Sequence, residues 1–153
     1  MFGGTIEVME KFIRDLAELE QEAVSFTQAL VPSTDSATLV TLSGELGAGK
    51  TAFTKMVANA LGVVDTVTSP TFVLEKIYAL PLGSAFERLV HIDAYRLESG
   101  AELAPLGFDI LMQDPKHLVL LEWPEKVRDA LPPATVAISL AANADGSRTM
   151  MYD

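Results

Sequence analysis

The residues with the clearest chemical potential stand together in GELGAGKT, residues 44–51, where Gly44, Gly49, Lys50 and Thr51 satisfy the spacing G-x-x-x-x-G-K-[ST]. At average residue frequencies, a random chain of this length carries that pattern on the order of once in a few hundred sequences, so the match is informative by itself. The chemistry it points to is phosphate binding. Successive main-chain amides curl around an anion, glycines permit that curvature and a close approach, and a following helix turns its positive end to the same place. Glu45, Leu46, Gly47, Ala48, Gly49, Lys50, Thr51 and Ala52 are therefore the expected nucleotide-contacting residues. Lys50 is expected to serve catalysis by neutralising the β and γ phosphates, and the Thr51 hydroxyl to complete a magnesium shell. A glycine-rich turn with an incidental lysine would explain fewer of these constraints.

A magnesium nucleotide also needs an acidic side chain at the end of a neighbouring buried strand. LVHID, residues 89–93, and LVLLE, residues 118–122, each end in a carboxylate, Asp93 and Glu122. One suits the metal side and the other the attacking water; the residues alone do not assign the pair, and a solvated strand-end carboxylate is the plainer reading of either taken singly. His91 shares a strand face with Asp93 if that strand continues so far, and is read as a packed, hydrogen-bonded histidine.

These groups must be held by secondary structure. Ala37 to Ser43 is a short apolar, β-branched run, as expected of a strand covered on both faces, and Lys50 to Leu61 reads as the following helix, closed by Gly62. Upstream, Phe12, Leu16, Leu19, Ala23, Phe26 and Leu30 recur at steps of three and four, which predicts one amphipathic helix over 10–30, ended by Val31-Pro32. Val73 to Leu80 reads as a strand entered through the Ser69-Pro70-Thr71 turn, with a reversal at Pro81, Gly83 and Ser84. A helical stretch is expected after Ser99 and a shorter one after Pro124. Thr135 to Leu140 and Thr149 to Tyr152 suggest a hairpin around Asp145-Gly146. Strands and helices interleave, so the fold class is α/β: a single P-loop NTPase domain over 1–153, with a mixed central sheet flanked by helices.

The bulk properties narrow the partners. The formal charge of −10 repels a phosphate backbone, so a direct nucleic-acid reader is not expected, whereas local amides and one lysine still suffice for a nucleotide. Cysteine is absent, which removes disulfides and thiolate metal sites. No apolar stretch reaches the length of a membrane span and the first residues do not resemble a secretory signal, so a soluble, cytoplasmic protein is expected.

GELGAGKT, then SPTF at 69–72, HIDAYRL at 91–97 and EWPE at 122–125 stand in an order that resembles the bacterial ATPase family called TsaE or YjeE, over roughly residues 36 to 140. The last three motifs are not shared by P-loop proteins at large. The resemblance implies a P-loop domain that hydrolyses ATP slowly alone, with Mg2+. It also implies work beside TsaB and TsaD in the threonylcarbamoyladenosine modification of tRNA, with tRNA met only through the complex. It implies further that Thr71 belongs to a switch-like loop near the γ-phosphate, that Asp93 and Glu122 are the essential carboxylates, and that Trp123 lies beside the nucleotide. By analogy to a Walker B strand, Glu122 is preferred for the metal with Thr51, and Asp93 for the water, although the two roles are interchangeable at this level. Ala52 stands where many relatives carry a second threonine, which leaves Thr51 intact. Tyr95 and Arg96 read as packing and pairing residues, with charge stabilisation the alternative for Arg96.

Two other functions compete. A small-molecule kinase would use the same cradle, but no arginine-rich lid is present: Arg88, Arg96, Arg128 and Arg148 are scattered beyond the loop. A nucleotide-gated binding module would order Ser69 to Phe72 on binding ATP and treat hydrolysis as incidental.

Overall fold

TLVTLS, RLVHID and HLVLLE become neighbouring parallel strands because almost every side chain in them finds cover. In the computed structural model, which describes residues 9–64 and 74–153, they form β2 (Thr38–Ser43), β4 (Arg88–Asp93) and β5 (His117–Glu122). Period-two alternation divides each run between two cores. Val40, Leu42, Leu89, Leu118 and Leu120 face a layer containing Leu19, Phe26, Phe53 and Val57, from helices α1 (Leu16–Ala29) and α2 (Lys50–Ala60). Leu39, Val90, Ile92, Val119 and Leu121 face Leu97, Leu103, Phe108 and Val127 on the opposite side. That second layer is built from a 3-10 stretch, Gly100–Leu106, a short helix α3 (Phe108–Met112) and two further 3-10 turns, Pro124–Lys126 and Arg128–Ala130.

The complete sheet has seven strands in the order β1-β7-β6-β2-β5-β4-β3, adding β1 (Met9–Ile13), β3 (Glu75–Ala79), β6 (Val136–Ala142) and β7 (Arg148–Tyr152). β6 runs parallel to β2; β3, β7 and β1 pair antiparallel with their neighbours, so the sheet is mixed. The expected hairpin is β6–β7, closed by an Asn143, Asp145, Ser147 and Thr149 hydrogen-bond network. No helix among the described residues is long and apolar enough to cross a membrane.

The expected helix over 10–30 is a correction: its first turn is strand β1, and the helix begins at Leu16. Asp15 is the reason. Its carboxylate accepts the Glu18 amide at 2.9 Å, capping the helix and breaking it from what precedes. Met9 to Ile13 instead alternate in burial and pair with β7, a partner from the far end of the chain, which leaves Phe12 and Leu16 each 58% exposed. The stretch after Ser99 is mostly 3-10 helix, since Pro105 lies within it and Gly107 turns left-handed at its end. Ser69-Pro70-Thr71 and Val73 lie outside the described residues; the strand expected there is observed over Glu75–Ala79.

Candidate functional site

The phosphate-loop sequence sits where its chemistry requires, between the C-terminal end of β2 and the N-terminus of α2. Gly44, Gly47 and Gly49 have φ of 141°, 82° and 108°, values that residues with a Cβ rarely adopt. At Gly44 the constraint is doubled, because a Cβ would lie 2.3 Å from the Leu140 carbonyl oxygen of β6. The loop is braced within itself as the Ala48 amide donates to the Glu45 carbonyl at 3.1 Å. α2 has no side-chain cap, which leaves the amides of its first turn available to an anion at the loop's mouth.

Lys50 is only 5% exposed. Its Nζ donates to the Gly44 carbonyl, and to that of Glu45 at 3.0 Å, and lies 4.0 Å from the centre of the Trp123 ring. Loss of water pulls its pKa below the usual lysine range, against the opposing pull of Glu122, Glu125, Asp93 and Glu45.

The two strand-end carboxylates are neighbours. β4 and β5 pair in a register that sets Asp93 beside Glu122, while Glu122 also sits beside Leu42 on β2. With adjacent strands about 4.8 Å apart, Glu122 is on the strand next to the loop's own and Asp93 one strand further out. Glu122 is 2% exposed, and its Oε2 lies 2.6 Å from Nε2 of His91, itself 1% exposed. This bears out His91 as a packed, hydrogen-bonded residue on the face it shares with Asp93; its Nδ1 is buried without a hydrogen-bond partner among the described residues. Asp93 is half-buried and accepts the Tyr95 amide at 3.0 Å. Burial holds its carboxyl above the ordinary aspartate value, the Tyr95 amide works against this, and the neighbouring Glu122 reinforces it.

A cleft of about 380 Å³ joins these parts. Of the residues expected from sequence, Leu46, Gly47, Gly49, Lys50, Thr51, Ala52, Asp93, Glu122 and Trp123 line it. Glu45 and Ala48 do not; they contribute carbonyls that brace the loop from behind. Thr71 lies outside the described residues. Arg96 and Tyr95 line the cleft as well, and the Tyr95 and Trp123 rings pack with centroids 4.9 Å apart. Among the described residues Trp123 alone has positive φ without being glycine, at 60°, although it precedes Pro124, a position that normally favours extended backbone. Its amide donates to the Leu42 carbonyl at 3.0 Å and its carbonyl accepts from Lys126 at 3.1 Å, so both sides of the kink are held.

Sequence reasoning missed one residue at the loop, Arg148, whose Nε donates to the Ala48 carbonyl at 2.9 Å. No local signal marks it, since the contact depends on β7 lying beside β6.

The donors suit magnesium in kind. Thr51, Asp93 and Glu122 offer hard oxygen ligands, and no cluster of three or more His, Cys, Asp or Glu side chains among the described residues could hold a metal unaided.

A strand, a glycine turn and a helix at the C-terminal end of a parallel core, with carboxylates ending the adjacent strands, define a P-loop NTPase fold. The crystal structure of YdiB from Bacillus subtilis is similar over 98% of this chain and 87% of its own, with a TM-score of 0.76 and 25% sequence identity. A family model described as threonylcarbamoyl adenosine biosynthesis protein TsaE matches residues 14–150. Similar proteins include the tRNA threonylcarbamoyladenosine biosynthesis protein TsaE of Treponema pallidum, 40% identical over 117 residues, 74% of this chain and 80% of that protein. Its counterpart in Bacillus subtilis is 36% identical over 117 residues, 74% of this chain and 68% of that protein. The chain belongs to the TsaE family of tRNA threonylcarbamoyladenosine biosynthesis.

Proposed function

We propose that this protein binds magnesium ATP in the cleft and hydrolyses it, slowly alone and faster in a complex with TsaB and TsaD, in support of threonylcarbamoyladenosine modification of tRNA. The observation that carries the reading is the convergence of Lys50, Thr51, Asp93 and Glu122 on one cleft at the loop. The loop amides and Lys50 bind the phosphates; Lys50 rests beside the cleft with two of its three ammonium donors on loop carbonyls, from which phosphate draws the charge. Thr51 and Glu122 would hold the magnesium, which when bound withdraws charge from the phosphate oxygens. Asp93 orients the attacking water, and its raised pKa brings it nearer the range of a working base. As the water oxygen bonds to the γ-phosphorus and passes a proton to Asp93, the bond to the β–γ bridging oxygen breaks, giving ADP and phosphate. Trp123 and Tyr95 wall the nucleotide side of the cleft. The formal charge of −10 suits a protein that meets tRNA only through its partners, and the cytoplasm is the compartment where that substrate resides.

The test is calorimetric titration with magnesium ATP and phosphate release with and without TsaB and TsaD. Lys50→Ala should weaken nucleotide binding roughly ten- to a hundredfold, the worth of about 1.5–3 kcal/mol for hydrogen bonds to charged groups. Glu122→Ala should spare binding more than turnover. Normal hydrolysis by Glu122→Ala with both partners present would remove the carboxylate roles, and a wild-type chain indifferent to magnesium ATP would remove the whole proposal.

A further inference from the structure

We infer that Arg148 is a positioning residue of the phosphate loop, aiming the Gly49 amide at the phosphates from behind. Arg148 opens β7, paired with Ile13 on β1 and Ala142 on β6, at the end of the hairpin turn fixed by Asn143, Asp145 and Ser147. From there its Nε donates to the Ala48 carbonyl at 2.9 Å, 100 residues away in sequence, while Nη1 is 3.5 Å from the Gly146 carbonyl of its own turn. Its stem closes over Gly49 from the same side: a Cβ there would lie 2.9 Å from Nε and 3.2 Å from Cδ.

Peptide geometry gives this contact a direction. No peptide bond among the described residues is cis, so the Ala48–Gly49 unit is planar with its C=O and N–H pointing opposite ways. Anchoring the Ala48 oxygen on Arg148 therefore turns the Gly49 N–H away from β7, toward the cleft that Gly49 lines. A cation on the carbonyl also polarises the amide and makes its N–H a stronger donor. The anchor matters because Gly49 sits at φ 108°, in a residue type with unusual backbone freedom. A loop fixed before the ligand arrives loses less entropy on binding.

This inference rests on the nucleotide reading of the cleft, and its test separates the two. The experiment titrates magnesium ADP calorimetrically into the full chain and records the Gly49 backbone 15N resonance without nucleotide. Arg148→Met keeps the apolar stem and removes the donor; Arg148→Lys keeps a cationic donor; Arg128→Ala, at an exposed arginine away from the loop, makes the same change in net charge. Arg148→Met should bind about tenfold more weakly with a displaced Gly49 resonance, Arg148→Lys should recover much of both, and Arg128→Ala should match wild type. Should Arg148→Met fail to fold, Arg148→Gln, which keeps an amide donor on a shorter stem, gives the same readout with an intermediate shift. Arg148→Met that binds as tightly as wild type, or loses no more than Arg128→Ala, overturns the role. A wild-type chain that binds no ADP defeats the nucleotide reading instead, while the Gly49 resonance still reports the anchor.

Discussion

Removing His91 should expose how the site trades stability for chemistry. His91 and Glu122 are 1% and 2% exposed and meet at 2.6 Å on adjoining strands. His91→Leu keeps roughly the volume of the ring and deletes the hydrogen bond, leaving the Glu122 carboxylate without that partner where water scarcely reaches. An orphaned buried polar group costs about 1–3 kcal/mol. At about 2–4 °C per kcal/mol for a chain near this size, a central cost of ~2 kcal/mol lowers Tm by roughly 4–8 °C. Glu122→Leu should cost a similar amount by orphaning the ring. The double variant His91→Leu/Glu122→Leu removes both polar groups, and apolar replacement of a buried pair is commonly neutral or better. Its loss should therefore fall short of the ~4 kcal/mol sum of the singles by up to about 4 kcal/mol, a coupling well above the ~0.5 kcal/mol scatter of independent sites. Urea denaturation of the four proteins reads this directly from midpoints at constant m. Additive losses would mean that the pair is not coupled and that Glu122 is held by something else. On the proposed mechanism the restored double variant nonetheless fails to turn over ATP, which separates folding from catalysis.

Two further outcomes are expected. Burial raises the pKa of Asp93, so the folded state holds that proton more tightly than the unfolded chain; the contribution is most favourable below the ordinary aspartate value of about 3.9 and is lost as pH climbs through the raised one. Asp93→Asn should then raise Tm at pH 7, with the gain shrinking toward pH 4, and a gain that is absent or independent of pH would contradict the assignment. Trp123 is the sole tryptophan and stacks on the Lys50 ammonium at 4.0 Å, so saturating magnesium ATP, by drawing that charge toward phosphate, should change its emission; an unchanged spectrum in a protein shown calorimetrically to bind would refute the coupling.

The parts that were legible in the sequence were those whose signals are local. The loop declares itself through glycines and Lys50, and β2, β4 and β5 through apolar runs that only burial on both faces explains. β1 was not, because Phe12 and Leu16 fall at helical spacing by accident while the pairing that makes a strand comes from β7. Asp15 caps the helix locally, yet the helical spacing of the apolar residues runs straight across it. The face shared by His91 and Asp93 follows from alternation, but the register that brings Glu122 to His91 does not. The left-handed Trp123 defies its place before proline, and Arg148 reaches the loop only because the sheet order sets β7 next to β6.

That order explains why one short loop draws on the whole chain. β2 lies between β6 and β5, so the loop leaving it meets the Leu140 carbonyl and the Arg148 side chain on one flank, and Glu122, Trp123 and Asp93 on the other. The first flank shapes the backbone; the second supplies charge, and nearly all of it is negative. Lys50 feels Glu122, Glu125, Asp93 and Glu45 together. A bare triphosphate entering beside Asp93 and Glu122 would add anion to anion in a partly dry cleft, where charges are poorly screened. A divalent cation held at Thr51 and Glu122 would reverse the sign of that interaction. On the proposed reading, then, magnesium is required for binding as much as for turnover, and the carboxylates that disfavour the free nucleotide are what make the metal-bound form the preferred ligand.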